Sequence, residues 1–407
     1  MKIIPKTING EVNIPSSKSV LHRLIIISAL SDKVTKINCT DFGLDIFHTI
    51  DCINKLGGFV ETYEGYLMVH PIKKPVECEI NVGESGSTLR FLMPIIASLS
   101  TKVIVDGENG IKARPVDTIV DLFLKNNIKV SSNKLPLEIE GKLTQGDYEI
   151  DGSISSQFAT GMLIALSFIQ GKSTLRINNP TSEDYLNITV DSLRQFGVKI
   201  EKKDKYYIES NGLISPGEVN AEGDFSSASF IMALGALSGK VILHNLNVNS
   251  SQGDKIIVDV LKDMGGNVEV NNDSIVVAKS ELKATTFDLK NYPDMAPILS
   301  VLMAQANGVS TLTNVDRLKI KESDRLANII DMLTRLKIKT EYSSNTLKIF
   351  GGKFSCANLL DHNDHRICMS SIVALNIASG TISDTKCIDK SYPQFLEDFK
   401  KIGGCYE

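Results

Sequence analysis

Five consecutive residues, Lys321-Glu322-Ser323-Asp324-Arg325, carry two cations and two carboxylates. Glu322 and Arg325 are spaced i,i+3, so surface ion pairing explains them if they stand alone. A second dense segment, Ile14-Pro15-Ser16-Ser17-Lys18-Ser19 followed by Arg23, puts two cations and several hydroxyls at a helix start. Cations there oppose the helix dipole and cost stability unless an anion compensates. Ser155-Ser156-Gln157 offers neutral donors before an apolar run, one of which an ordinary helix cap would use. Asn363-Asp364-His365-Arg366 opens another apolar run, and Lys390 lies in Asp389-Lys390-Ser391-Tyr392-Pro393. In Arg114-Pro115 the proline suits a first helical position. Asp294 begins an almost wholly apolar helix, as a cap or as a base; a base would need partial burial and nearby cations. Each group is ordinary singly. Their recurrence at equivalent positions points to the binding of small anions.

The equivalence rests on an internal repeat. Amphipathic helices end near positions 57, 127, 197, 265, 337 and 403, at successive intervals of 70, 70, 68, 72 and 66. Gly or Asn at most of these sites fits a left-handed helix C-cap. Between them lies a short strand, a polar loop and an apolar helix. Examples are Glu79–Val82, Glu84–Thr88 and Leu89–Leu99, or Tyr148–Ile150, Ser153–Gln157 and Phe158–Ile169. Asp224, Asp294 and Asp364 fall 70 residues apart twice over. Runs such as Phe230–Leu237 have little polar face and should be buried on most sides. The pattern predicts two similar α/β (α+β) domains, each of three repeated βαβαββ-type units around buried parallel helices. The expected domains are 14–223, and 1–13 with 224–407, the second closed by the N-terminal strand. Parallel buried helices would gather their positive N-terminal ends at one surface.

Composition narrows the partners. The chain has 407 residues, 44 basic and 48 acidic, for a net charge of −4, which argues against nucleic acid or an anionic membrane. An anionic substrate must therefore meet a local basic cluster. Seven cysteines with no CxxC pair and no metal-type spacing to His read as reduced buried thiols in cytosol. No signal peptide follows Met1, and the apolar stretch Ala159–Ile169 is about half the ~20 residues a membrane span needs.

Taken together and in this order, these motifs resemble the EPSP synthases, the 3-phosphoshikimate 1-carboxyvinyltransferases. The resemblance runs from Ile14–Arg23 to Lys390–Phe395. It implies a two-domain fold of the inside-out α/β barrel type, a cytoplasmic monomer, no metal and no cofactor. The implied partners are two anionic small molecules, shikimate-3-phosphate and phosphoenolpyruvate, whose enolpyruvyl group moves to the 5-hydroxyl of the former. For shikimate-3-phosphate it implies contacts from Lys18, Ser19, Arg23, Ser155, Ser156, Gln157, Ser182, Tyr185, Asp294 and Lys321. For phosphoenolpyruvate it implies Lys18, Gly86, Arg114, Gln157, Arg325, Arg366 and Lys390, with Arg90 shaping the loop of Gly86. It makes Asp294 the expected proton shuttle at the hydroxyl, with Glu322 and Lys18 as candidates for acid and base at the donor, and leaves open which of them protonates the methylene carbon. Arginine's planar fork suits the phosphate and carboxylate of the donor, and a closed, dry site guards against hydrolysis.

Four positions depart from the family pattern: Glu84 stands for Asn, Leu21-His22 for Ser-Asn, and Arg317 for a substrate-touching Asn, whose contact is not carried over. The sister enzyme that uses UDP-N-acetylglucosamine carries a Cys in the loop before its Arg-Pro, and Gly107–Pro115 has none. A non-catalytic repeat scaffold would not gather Arg and Lys at helix starts.

Overall fold

The six helix ends follow one chemistry. Gly57, Asn127, Gly197, Gly265, Lys337 and Gly403 all have positive φ, from +58° at Asn127 to +102° at Gly57. In each case the next residue's N–H reaches back five residues to a carbonyl. The pairs are Gly58 to Ile53, Ile128 to Phe123, Val198 to Leu193, Gly266 to Leu261, Ile338 to Leu333 and Gly404 to Phe399, at 2.7–3.3 Å. This is the Schellman closure, and it turns the chain from helix into strand. The sixfold register therefore corresponds to six equivalent turns.

The computed structural model describes residues 1–153 and 155–407 of the chain; Ile154, inside the expected Ser153–Gln157 loop, lies outside them. Two compact units result, Lys18–Ala221, and Met1–Ser17 with Glu222–Glu407. Each has its own hydrophobic core. Among the described residues there are six four-stranded sheets, three in each unit. The middle sheet of the first unit shows the plan. Cys78–Asn81 pairs in parallel with Val103–Asp106, across the buried helix Gly86–Leu99. Val103–Asp106 then pairs antiparallel with Leu137–Glu140, which pairs antiparallel with Lys129–Val130.

Two strands leave the order in which the sequence presents them. Ile8–Asn13, just before the Lys18 helix, pairs in parallel with Gly239–His244. Glu218–Asn220, just before the Phe225 helix, pairs in parallel with Thr35–Asn38. Each of these strands therefore belongs to the unit other than that of the helix it precedes. The first unit, expected over 14–223, spans Lys18–Ala221. Residues 14–17 stay with the Glu222–Glu407 portion, because Asp224 N–H donates to Pro15 O at 2.8 Å and Ser17 N–H to Glu222 O at 2.7 Å. At the N-terminus, Lys2–Ile4 pairs with both Gly380–Ile382 and Cys405–Tyr406.

The apolar helices are buried all round, as in Phe225–Ser238 and Ala296–Ala304. Within each unit they run parallel. Ser226 and Arg366, at two helix starts, are 3.3 Å apart, while Ser238 and Asn376, at the two ends, are 3.1 Å apart. In the other unit Gln157 Nε2 donates to Ser87 Oγ at 2.9 Å, and Arg23 donates to Thr160 at 3.2 Å. All seven cysteines are free, but only Cys39, Cys52, Cys368 and Cys387 are buried; Cys356 is exposed, so the expectation of buried thiols holds in part. No helix among the described residues is long and apolar enough to cross a membrane.

Lys337 is the one lysine among the six turn positions, at φ +65°. A left-handed conformation penalises any Cβ, so Lys337→Gly should stabilise the Met1–Ser17/Glu222–Glu407 unit by about 0.5–1 kcal/mol. Gly197→Ala should cost its own unit a similar amount, both read as shifts in urea midpoint.

Candidate active site

In the Lys18–Ala221 unit the cations gather at three helix starts. Lys18 is the first residue of its helix, with no acidic residue in that turn. The compensating anion is internal: Asp45, in the first turn of helix Leu44–Lys55, holds Lys18 Nζ at 2.8 Å. Sequence reasoning missed Asp45, because nothing in its own segment marks it. Ser19 follows Lys18 and its carbonyl accepts from Arg23 Nη1 at 2.6 Å. Arg23, 2% exposed, also donates to Thr189, Thr160 and the Tyr185 carbonyl. Burial without a carboxylate partner lowers its pKa to about 9. Ser182, at φ +53°, starts helix Glu183–Gln195, and Tyr185 lies in its first turn.

Ser155 caps the helix Ser156–Phe168, accepting from Gln157 N–H at 3.2 Å, which is the ordinary role expected of one of these donors. Ser156 is buried beside it. Gln157 bridges the next helix start, donating to Ser87 and accepting from Arg90 Nη1 at 2.7 Å. Arg90 lies over the Phe158 ring at 5.3 Å. Burial, then repulsion from Arg114, lowers its pKa to about 10. Gly86 completes the cluster. A Cβ there would meet Arg114 Nη1 at 2.7 Å, Arg90 Nη1 at 3.4 Å and Gln157 Oε1 at 3.7 Å. Arg90 Nη1 thus bonds Gln157 and stands beside Gly86. Glu84 leans onto the neighbouring loop, its Oε1 2.8 Å from where a Gly110 Cβ would stand.

The other unit builds its cluster around Asp294. This residue caps neither its short 3-10 turn nor the helix that follows. Its Oδ1 lies 2.6 Å from Arg325 Nη1 and 3.4 Å from Lys321 Nζ, and its Oδ2 3.5 Å from Arg366 Nη2. Burial raises its pKa, but Lys321, Arg366 and Arg325 together hold the carboxyl well below the usual range. Arg325, 1% exposed, also pairs with Asp364 at 2.7 Å and Glu322 at 3.4 Å. The i,i+3 pair is therefore part of a buried network, and the reading as surface ion pairing is overturned. Burial opposes the Arg325 charge, yet Asp364, Glu322 and Asp294 raise its pKa above the usual range. Burial lowers the Lys321 pKa, with Asp294 opposing.

Arg366 also faces Asp254 at 3.9 Å and Ser226 at 3.3 Å. Burial, only partly offset by Arg366, raises Asp254 to about 6, and no sequence signal had singled it out. Arg317 donates to the Lys290 carbonyl at 2.6 Å. Lys390 reaches the Asn363 carbonyl at 3.2 Å, one residue before the Asp364 cap. Glu322, Asp364 and His365 bring one ligand atom each within 4.8 Å, the spacing of a metal site. Arg325 already binds both carboxylates there, so a guanidinium takes the place a cation would. His365 Nδ1 lies 2.9 Å from Glu322 Oε2 without hydrogen-bond alignment.

Two clusters of cations, carboxylates and neutral donors at buried helix starts can bind phosphate and carboxylate groups and exchange protons with them. The model of the EPSP synthase family, 3-phosphoshikimate 1-carboxyvinyltransferase, matches residues 3–399. The chain belongs to this family. It is 36% identical to the 3-phosphoshikimate 1-carboxyvinyltransferase of Clostridium beijerinckii, over 100% of this chain and 98% of that one. It is 37% identical to the enzyme of that name from Clostridium acetobutylicum, over 99% and 97%. Among solved structures, EPSP synthase from Acinetobacter baumannii superposes with a TM-score of 0.83 at 24% identity, covering 99% of this chain and 98% of that one. The enolpyruvyl transferase NikO from Streptomyces tendae gives 0.81 at 16%, covering 99% and 97%. These two establish the two-domain α/β fold.

Removing Arg325 leaves Asp294 and Asp364 buried with one cation fewer. Arg325→Met should destabilise its unit by about 3–5 kcal/mol at pH 7. The carboxyls of the unchanged protein sit below their unfolded values, so their stabilising contribution is present above pH ~4 and fades only below it. In the variant, burial raises the same carboxyls, so the gap between the two proteins should narrow as pH falls from 7 toward 4, followed by urea titration.

Proposed function

We propose that this chain transfers the enolpyruvyl group of phosphoenolpyruvate to the 5-hydroxyl of shikimate-3-phosphate, with release of phosphate. The observation that carries this reading is a pair of guanidiniums, Arg23 and Arg90, buried with neutral partners and depressed pKa values. A buried charge without a counter-ion is costly, and a bound anion offsets that cost.

In this reading Lys18, Ser19, Arg23, Ser155, Ser156, Gln157, Ser182 and Tyr185 hold the phosphate and ring of the acceptor, with Asp294 and Lys321 at its hydroxyls. Lys18, Gly86, Arg114, Gln157, Arg325, Arg366 and Lys390 hold the donor. Asp294 takes the proton of the 5-hydroxyl as its oxygen bonds to the central carbon of the donor. Glu322 and Lys18 serve as acid and base at the donor, where the methylene carbon gains a proton. The addition then reverses in sense: a methyl proton leaves, the carbon–oxygen bond to phosphate breaks, and the enol ether forms. A carboxylate held as acidic as Asp294 is a weak base while three cations surround it. Donor anions that draw on Arg325 and Arg366 weaken that field and strengthen the base. The enzyme works in the cytoplasm as a monomer, without metal, cofactor, nucleic acid or membrane.

Phosphate release decides the reading: it should require phosphoenolpyruvate with shikimate-3-phosphate, and activity with UDP-N-acetylglucosamine instead, or with neither, would overturn it. Asp294→Ala should lower kcat at least ~10²-fold while acceptor binding stays within about tenfold. Near-normal turnover would remove Asp294 from the mechanism.

A further inference from the structure

His22 departs from the family pattern, has no place in the reaction as proposed, and is wholly buried. Its Nδ1 lies 2.7 Å from Thr49 Oγ1, on helix Leu44–Lys55. Thr49 Oγ1 lies 2.7 Å from Thr88 Oγ1, on helix Gly86–Leu99. Thr88 Oγ1 is 2.7 Å from Ser85 Oγ, and that same oxygen accepts from Thr88 N–H at 3.2 Å as the helix cap. The row of buried polar groups thus joins three helices. It begins one turn after Lys18, passes one turn after Asp45, and ends beside Gly86.

We propose that His22 is a positioning residue: through Thr49, Thr88 and Ser85 it fixes the start of the Gly86 helix relative to the start of the Lys18 helix, and so sets affinity for the enolpyruvyl donor. The inference rests on the proposed reaction for the identity of that donor. The start of the Gly86 helix has little slack, because Arg114 already stands within 2.7 Å of where a Cβ would be. A shift of that helix start therefore moves Gly86 against Arg114 and Gln157, the donor contacts. Arg23, an acceptor contact on the helix of His22, is held separately by Thr189, Thr160 and the Tyr185 carbonyl. Loss of the row should therefore disturb the donor more than the acceptor.

The row also fixes the chemical state of His22. Its Nε2 makes no hydrogen bond, and Phe91 meets the ring edge-on at 6.3 Å. A buried N–H without a partner is rarer and costlier than a buried lone pair. The proton therefore sits on Nδ1 and is donated to Thr49, leaving the lone pair on Nε2. The charged groups facing the ring are Asp45, Lys18 and Arg23. Burial outweighs Asp45 and, with the two cations, lowers the pKa to about 3. His22 stays neutral, and the row does not change with pH in the working range. Since the unfolded value is higher, this histidine's contribution to stability is whole above pH ~6.5 and declines as pH falls toward 3.

Asparagine places its Nδ2 where histidine has Nδ1, one bond beyond Cγ, whereas leucine fills similar space with no donor. His22→Leu should raise the donor KM about tenfold and leave the acceptor KM within twofold. Thr49→Val, which cuts the row on another helix, should do the same and carries the comparison if His22→Leu does not fold. His22→Asn should bring the donor KM back within about threefold of the unchanged protein. Unchanged donor KM in the Leu and Val variants, a parallel rise of both KM values, or an Asn variant as poor as Leu would each overturn the proposal. Nitrogen-15 histidine NMR tests the row without turnover. The signal lost in His22→Asn should show a neutral ring protonated at Nδ1 down to pH 5. An Nε2–H form, or protonation near pH 6.5, would overturn it. Absence of turnover in the unchanged protein would defeat the proposed reaction and the donor half of this inference, while the NMR result would still decide the hydrogen-bonded row.

Discussion

A helix buried along its length cannot use water to satisfy its first N–H groups, and in each unit of this protein three such helix starts meet. Side chains from neighbouring turns therefore complete four of the six starts: Ser85, Ser155, Asp224 and Asp364 cap their helices directly. The same ends carry fractional positive charge, to which the chain adds Lys18, Arg23, Arg90, Arg114, Lys321, Arg325 and Arg366. Like charges concentrated in this way persist only where something opposes them. The two units oppose them differently. In one, Asp45 pairs with Lys18, while Arg23 and Arg90 rest on neutral oxygens. In the other, Asp294, Glu322 and Asp364 share the cations in one buried network.

That contrast has an energetic meaning. A guanidinium on neutral partners has a field to offer, and an arriving phosphate gains from it without first displacing a carboxylate. A guanidinium already paired with a carboxylate offers less attraction, but its pairing can be exchanged, and exchange alters the proton affinity of the carboxylate left behind. The first arrangement suits holding a substrate; the second suits coupling its arrival to proton transfer.

Much of this was legible in the sequence, because the features concerned are local. A C-terminal turn needs a left-handed residue and a backbone bond five residues long, so six copies leave a visible register, even where Lys337 replaces the glycine or asparagine. Apolar runs starting with Asp, Ser or a cation likewise mark helix starts directly. What was hidden depends on long-range pairing. The partners of Ile8–Asn13 and Glu218–Asn220, Gly239–His244 and Thr35–Asn38, were not readable, because strand pattern specifies a buried face and not a partner. Asp45 and Asp254 were missed for the same reason. Each is an ordinary acidic residue near the beginning of a surface helix and acquires meaning only from a cation 27 or 112 residues away.

The repeat explains where those hidden partners come from. Each unit reuses one plan three times, so the surface helix of one repeat starts beside the buried helix of its own repeat. Asp45 stands to Lys18 as Asp254 stands to Ser226: both lie at the start of the surface helix, 27 and 28 residues on. A position that every repeat places next to a helix start is one where a carboxylate meets whatever charge that start carries. Asp45 meets a lysine and pairs with it. Asp254 meets Ser226 and a more distant Arg366, and burial there prevails over attraction, raising its pKa where the Asp294 pKa falls. Asp254 and Asp294, two carboxyls that share Arg366, thus have opposed proton affinities, set by how near and how many the cations are. Opposed affinities are what a reaction that both adds and removes protons requires.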